Sequence, residues 1–181
     1  MTVGTKSLLF GVHQFLWHPF TVARAWKHLY GRWPCGWLLL AIFLHDIGYV
    51  GCPNMDGPEG KQHPRRGARW MYHIFLWFRP GEYDEAREWH DLILFHSRSL
   101  CKASFAQPSK LCDADKLSML YDPEWFYLLR AQLSGEIREY RANAEDFIRS
   151  SEPNYVWFRW LRQKMQQYVK TKIAYDDKSL R

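Results

Sequence analysis

The chain has 181 residues, of which 47% are hydrophobic and 17% aromatic, and its formal net charge is +6. This length suits one domain with a substantial core, and so high an aromatic content excludes a disordered tail. The positive charge favours a phosphate-bearing partner only weakly, and no apolar stretch approaches the roughly 20 residues needed to span a bilayer. We therefore expect one cytoplasmic domain over residues 1–181 with no membrane span. Nucleic-acid binding is left open but not favoured, and a homo-oligomer is left open.

Helical patterns separated by proline and glycine fill almost the whole chain, and strand-like alternation is scarce. Predicted helices cover about 6–17, 19–30, 36–47, 64–78, the segment from 82 to His96, the segment around Asp115, 123–148 and 153–173. The helix over 36–47 is apolar on all sides, which predicts burial at the centre of the fold. A glycine- and proline-rich loop follows it, over 51–63, where a site is commonly built. The sequence thus predicts an all-α fold of about seven helices, with a motif-bearing part over about 18–121 and C-terminal helices over 123–173 packed on it.

Imidazole and carboxylate side chains, which bind borderline-hard divalent metals, recur in a fixed order along the chain: His18, His45, Asp46, His63, His96 and Asp115. His45 and Asp46 are adjacent, and neighbours on a helix point about 100° apart, so both can reach one side of a buried helix end. An ionisable pair after so apolar a run costs on the order of several kcal/mol unless something compensates. A bound metal would compensate. The alternative is that Asp46 caps a backbone turn and His45 hydrogen-bonds in the core.

This order of residues resembles the HD superfamily of metal-dependent phosphohydrolases, in which an upstream His, an adjacent His-Asp pair and a downstream Asp bind the metal. His18 opens the run His-Pro-Phe-Thr-Val-Ala-Arg, which is similar to the first superfamily His and its Val-Ala helix. Asp115 lies in Asp-Ala-Asp-Lys-Leu, which is similar to the closing Ala-Asp-Lys/Arg-Leu motif. The resemblance covers about 18–117 and implies that Asp115 is the ligand, with Asp113 as an outer partner or a cap.

Two further histidines resemble the extra ligands of the dinuclear HD branch. His63 precedes a Gly-Ala helix, and His96 ends an Ile-Leu-Phe-His turn. His90 is the competing ligand: six positions before His96, it falls about 240° round a helix, so both cannot easily face one metal. We prefer His96, because apolar neighbours mark its side as the inner one. The remaining histidines lack motif context and are expected to be surface or core residues: His13, His28 and His73.

The resemblance implies a phosphohydrolase with two divalent ions per chain. Four histidines and two carboxylates favour Fe or Mn, with Co, Ni, Zn and Mg left open. Metal-bound hydroxide would attack a phosphate ester or anhydride of a nucleotide or dinucleotide, and Asp46, the catalytic carboxylate, would bridge or orient that hydroxide. Cationic side chains near the ligands are candidates for binding the substrate phosphates: Lys61, Arg66, Arg98 and Lys116.

Two other functions are compatible with the same residues. The first is a diiron HD-type oxygenase acting on a small phosphonate or polyol, since identical ligands would serve it. The second is a non-catalytic nucleotide-binding HD module. Consumption of O₂ with the substrate would distinguish the oxygenase from a hydrolase.

Overall fold

The computed structural model describes the backbone of residues 1–142 and 151–179, with side chains as far as 171. Within these ranges the chain forms ten α-helices and no β-strand, which confirms the predicted all-α class. The helices are α1 (Val3–Phe10), α2 (Trp17–Tyr30), α3 (Gly36–Leu44), α4 (His63–Phe78), α5 (Tyr83–Leu94), α6 (Arg98–Ser104), α7 (Lys110–Ser118), α8 (Glu124–Ser134), α9 (Glu136–Ala142) and α10 (Asn154–Ser179). Short 3-10 turns lie at Ile47–Tyr49, Gly60–Gln62 and Met119–Tyr121. None of the described helices is both long enough and apolar enough to cross a bilayer.

Several predicted boundaries were wrong, and the count of about seven helices was too low. The helix expected over 123–148 is divided at Gly135, which adopts a φ of +86° between α8 and α9. Glycine tolerates this left-handed conformation, so it ends one helix and lets the next begin. The end of that prediction, from 143 to 148, lies outside the described residues. The chain also forms α6 directly after the turn that holds His96, where no separate helix was expected.

The main core brings together apolar side chains from five of the first seven helices and from α10. Val22, Ile42, Met71, Ile93 and Leu111 belong to this cluster, and Val169 of α10 joins it. Helix α4 packs along α5, and α2 packs along α7. The expected burial of α3 at the centre of the fold holds only for part of the helix: Leu39 is 37% exposed, whereas Ala41 and Ile42 are fully buried. Only the last turn of α3, which leads to His45, lies at the centre of the fold.

The C-terminal helices hold the segment between α1 and α2. A second apolar cluster joins Val12 to Tyr127 of α8, Ile137 of α9 and Trp157 of α10. Arg130 of α8 donates hydrogen bonds to the carbonyl oxygens of Gly11 and Val12, at 3.2 and 3.1 Å, and to Asp122 Oδ1 at 2.6 Å. These buried contacts fix the start of the 11–16 segment that leads into α2.

Two glycines allow the end of α3 and the turn after it to touch α4. A Cβ atom on Gly48 would lie 1.9 Å from the His63 carbonyl oxygen, and one on Gly67 would lie 2.5 Å from that of Leu44. Any side chain at either position would therefore push the two segments apart. This close approach brings the start of α4 beside Asp46.

Candidate metal centre

The structure brings the six predicted ligands together in two groups that share one residue. The first group is His18, His45, Asp46 and Asp115, and the second is Asp46, His63 and His96. Within each group the candidate ligand atoms lie within 4.8 Å of one another. Five of the six side chains are buried, and that of Asp115 is 11% exposed.

Most of these residues come from helix ends, which is why distant parts of the chain can meet at one point. His18 lies in the first turn of α2, and His45 directly follows the last residue of α3. His63 begins α4, and His96 lies two residues beyond the end of α5. The helix expected to carry His96 thus ends before it. Only Asp115 projects from the middle of a helix, α7.

Three of the histidines are oriented in the same way by the backbone. His45, His63 and His96 each place Nδ1 at 2.6 to 2.7 Å from the carbonyl oxygen three residues earlier. A carbonyl oxygen only accepts hydrogen bonds, so Nδ1 carries the proton in all three rings. In the neutral ring Nε2 then presents a lone pair, and this is the arrangement that metal-ligating histidines require.

The Nε2 atoms of these three rings and of His18 face one another in two pairs across the cluster. His63 Nε2 lies 3.1 Å from His96 Nε2, and His18 Nε2 lies 3.3 Å from His45 Nε2. The lone pairs of His63 and His96 repel at such a distance, whereas a cation between the two nitrogens would attract both. Ligands bonded at about 2.1 Å to a tetrahedral ion lie about 3.4 Å apart, which is close to these separations.

Asp46 links the two groups, because each of its carboxylate oxygens faces one of them. Oδ2 lies 3.1 Å from His45 Nε2 and 3.3 Å from His18 Nε2. Oδ1 lies 3.2 Å from His63 Nε2 and 3.5 Å from His96 Nε2. Within the described part of the chain, Oδ2 is buried without a hydrogen-bond partner, although two ring nitrogens are near it. A buried anionic oxygen in that state is costly, and a bound cation would satisfy it.

The second carboxylate completes the first group. Asp115 Oδ1 lies 3.1 Å from His18 Nε2 and 3.8 Å from His45 Nε2. The first group therefore offers two nitrogens and two carboxylate oxygens to one ion. The second group offers two nitrogens and one oxygen, which leaves more coordination positions for other ligands. Both donor sets suit a first-row divalent metal better than Mg²⁺, which prefers oxygen alone.

The negative charges of the two carboxylates favour positive charge within the cluster. Burial lowers the pKa of His45, but the charge of Asp46 and a hydrogen bond to Asp115 outweigh it and raise the pKa to about 10. Burial raises the pKa of Asp46, but the neighbouring histidines, led by His45, hold it well below its usual range. The ring of His63 differs, because burial lowers its pKa to about 4. The two carboxylates thus stay ionised, and His63 stays neutral and available as a ligand.

Two cavities adjoin the cluster. The smaller, of about 210 Å³, adjoins Asp46, His63 and His96. The larger, of about 440 Å³, adjoins His18 and is walled by the C-terminal helices. Five residues line both cavities: His13, Tyr49, Asp56, Asp115 and Lys116. The cluster therefore lies where the two spaces meet.

The structure places three of the four predicted substrate-binding cations at the smaller cavity. Lys61, Arg98 and Lys116 line the smaller cavity, and Lys116 Nζ lies 3.3 Å from Asp115 Oδ2. Arg66 lines neither of the two cavities; it is exposed and donates a hydrogen bond to the carbonyl of Val50. Its position on α4 turns it away from the cluster.

Asp113 and His90 lie outside both groups. Asp113 accepts a hydrogen bond of 2.6 Å from the Tyr168 hydroxyl, which ties α7 to α10. His90 lies 2.8 Å from the neighbouring Asp91 carboxylate. His96 is the member of the competing pair that reaches the cluster.

His13 was missed by sequence reasoning as a site residue. It lines both cavities, and its Nε2 lies 4.0 Å from Asp46 Oδ2. No local motif marks it, since its partner Glu136 lies more than a hundred positions away in sequence. His28 and His73 are exposed, as surface residues would be.

Comparison with models of protein families, with curated proteins and with solved structures finds no match. Two buried His/Asp groups that share Asp46 could hold metal ions beside two cavities.

Proposed function

We propose that the protein is a metal-dependent phosphohydrolase of the HD type, acting on a phosphate ester or anhydride of a nucleotide or dinucleotide. One observation carries the proposal: Asp46 directs one oxygen to each of two groups of buried imidazoles. A shared carboxylate between two N/O donor sets is the arrangement that two-metal hydrolytic sites use. The order of the ligands along the chain, which resembles the HD superfamily, supports the same conclusion.

Each donor set has a separate task in this proposal. His18, His45 and Asp115 would hold one ion with Asp46, and His63 and His96 would hold the second. When bound, such ions lower the pKa of coordinated water and neutralise charge on a phosphoryl group. The mixed nitrogen and oxygen donors favour Fe or Mn.

The chain's own cationic side chains would bind the phosphoryl group. Lys61, Arg98 and Lys116 line the smaller cavity, where a phosphate would lie next to the second donor set. Arg98 is held over the Tyr168 ring, 5.0 Å from its centroid, and this contact directs its side chain. Arg66 takes no part in this proposal.

The larger cavity would hold the organic part of the substrate. Its volume of about 440 Å³ lies within the range of small-molecule sites. Aromatic side chains line it, namely Tyr49, Tyr127, Tyr140, Trp157 and Trp160. Such rings stack on a nucleobase. This division supports a substrate that carries a phosphate at one end and a planar apolar group at the other.

The test is a phosphate-release screen across nucleotides and dinucleotides with Mn, Fe, Co and Mg. We expect release with at least one metal, and a loss of several orders of magnitude in the Asp46→Ala variant, because both donor sets lose their shared oxygen. His73→Ala, a change on the exposed face of α4, is the matched control and should keep full activity.

Retained activity in Asp46→Ala would overturn the role given to that carboxylate. Consumption of O₂ with no phosphate release would instead favour the oxygenase class. Nucleotide binding without turnover under any metal would favour a non-catalytic module.

A further inference from the structure

A fully buried carboxylate lies directly behind His13. Glu136 has no exposed surface. It accepts hydrogen bonds from the Ser7 hydroxyl at 2.7 Å, the Val12 amide at 2.6 Å, the Ser134 hydroxyl at 2.7 Å and the Tyr140 hydroxyl at 2.9 Å. With four donors besides His13, this carboxylate is held rigidly and keeps its charge. Nothing in the metal centre requires such a group.

The same network determines which ring nitrogen of His13 carries a proton. Nδ1 lies 3.2 Å from Glu136 Oε2 and 2.9 Å from Ser7 Oγ. The Ser7 hydroxyl already gives its proton to Glu136, so its oxygen accepts from the ring. Nδ1 therefore donates. The other nitrogen, Nε2, is turned toward the metal centre.

The position of Nε2 suits a group that exchanges a proton with a substrate. It lies 4.0 Å from Asp46 Oδ2, which is beyond hydrogen-bond reach. His13 is also among the few residues that line both cavities. With the phosphate in the cationic cavity and the organic group in the aromatic one, the bond between them passes His13.

We propose that His13 is a catalytic residue that protonates the leaving oxygen, and that Glu136 is a positioning residue that fixes its ring; this inference rests on the proposed phosphohydrolase function. Water forms the new bond to phosphorus as the bond to the leaving oxygen breaks. The leaving oxygen keeps that bonding pair and takes the proton from His13 Nε2. One proton of the attacking water stays on the phosphate product, and the other returns to Nε2. A carboxylate behind an imidazole orients the ring and stabilises it while it carries a proton.

The experiment compares two esters that share a phenyl ring but differ in the basicity of the leaving oxygen. In 4-nitrophenyl phosphate the leaving phenolate needs no proton, whereas 2-phenylethyl phosphate must release an alkoxide. We expect His13→Gln to lower kcat for 2-phenylethyl phosphate by about 10²- to 10⁴-fold, the usual contribution of a general acid. For 4-nitrophenyl phosphate the loss should stay below about tenfold. KM and metal content should change little in either case.

Glu136→Gln should show the same selective loss with a smaller amplitude, because the amide keeps the hydrogen bond to Nδ1 but removes the charge. The matched control is His73→Gln, which should leave both esters unaffected. A third measurement needs no variant: the ¹⁵N spectrum of histidine-labelled wild-type protein should show that Nδ1 of His13 carries a proton.

Three results would each overturn the inference and leave the proposed function standing. They are equal losses of kcat on both esters, loss of metal from His13→Gln, and a wild-type His13 ring with Nδ1 unprotonated. If either variant does not fold, the other one and the ¹⁵N spectrum decide. Wild-type protein that releases phosphate from neither ester and from no nucleotide would overturn the proposed function, and the inference with it.

Discussion

At the residue scale, the candidate centre depends on where each imidazole proton lies. His45, His63 and His96 give theirs to backbone carbonyls three residues earlier, so each of them turns Nε2 toward the space beside Asp46. His13 gives its Nδ1 proton to side chains instead. The four rings are chemically alike, and their hydrogen-bond partners assign them different roles.

Replacing His96 and His90 in turn tests the assignment of the second donor set. We expect His96→Ala to lower the bound metal from two ions to one per chain, because the second set keeps only His63 and a shared oxygen. His90→Ala should leave two ions, since His90 pairs with Asp91 away from the cluster. Metal analysis of purified, reconstituted protein checks both. The reverse pattern would transfer the ligand role to His90.

At the element scale, helix ends bring the candidate ligands together, and close backbone contacts hold those ends in place. The turn after α3 lies against the first residue of α4 because Gly48 has no side chain. The C-terminal helices act similarly on the other side, where Arg130 binds the carbonyls of the segment before His13. Removing this arginine would leave the buried Asp122 carboxylate without its 2.6 Å partner.

The Gly48→Ala substitution tests the close contact between the turn after α3 and the start of α4. The added Cβ would meet the His63 carbonyl at 1.9 Å, so the start of α4 must move away from Asp46. Overpacking of this kind costs about 1–3 kcal/mol, and we expect the second ion to be lost as His63 shifts. Urea unfolding and metal analysis measure the two effects.

The control is Gly31→Ala at the end of α2, where a Cβ would meet nothing within 4 Å. Gly31 has a φ of +75°, so this change should cost about 1 kcal/mol through backbone strain alone and keep both ions. A Gly48→Ala protein with full stability and two ions would contradict the role of this close approach.

At the scale of the whole molecule, the charges of six ionisable groups at the centre of an apolar fold must be compensated together. The carboxylates Asp46 and Asp115 stay ionised, and removing a compensating cation leaves their charge in a poorly solvated place. The folded state should therefore depend on the ions, in addition to any activity.

Chelation of the reconstituted protein tests this dependence. Free metal at 100 times Kd of one site stabilises the fold by about 2.7 kcal/mol, which for a chain of this size corresponds to roughly 5–10 °C in Tm. We expect a chelator to lower Tm by about that amount in the wild-type protein and to have no effect on Asp46→Ala. An unchanged Tm, with metal removal verified by analysis, would show that the cluster is stable without cations.

Much of the fold and of the candidate ligand set could be predicted from the sequence because the signals are local. Proline and glycine interrupt helical patterns at identifiable positions, and the all-α class follows from them. The candidate ligand motifs are short runs around His18, His45 and Asp115. The ability of such side chains to bind metal can be recognised from the sequence without coordinates. Helix boundaries were less predictable, because the final turn of a helix depends on hydrogen bonds such as the one from His96 to Ile93.

The amino-acid sequence alone determined which residues are able to bind metal, since ligand chemistry belongs to side chains and their order. Only the tertiary structure decided which cationic side chains face the cluster, and that His13 lies beside it. Arg66 and Arg98 are both candidates for phosphate binding in the sequence, yet only Arg98 lines the smaller cavity, because the direction of a side chain depends on how its helix is packed. His13 and Glu136 meet only when α9 packs against the segment after α1. No local pattern encodes a contact between segments so far apart in the chain.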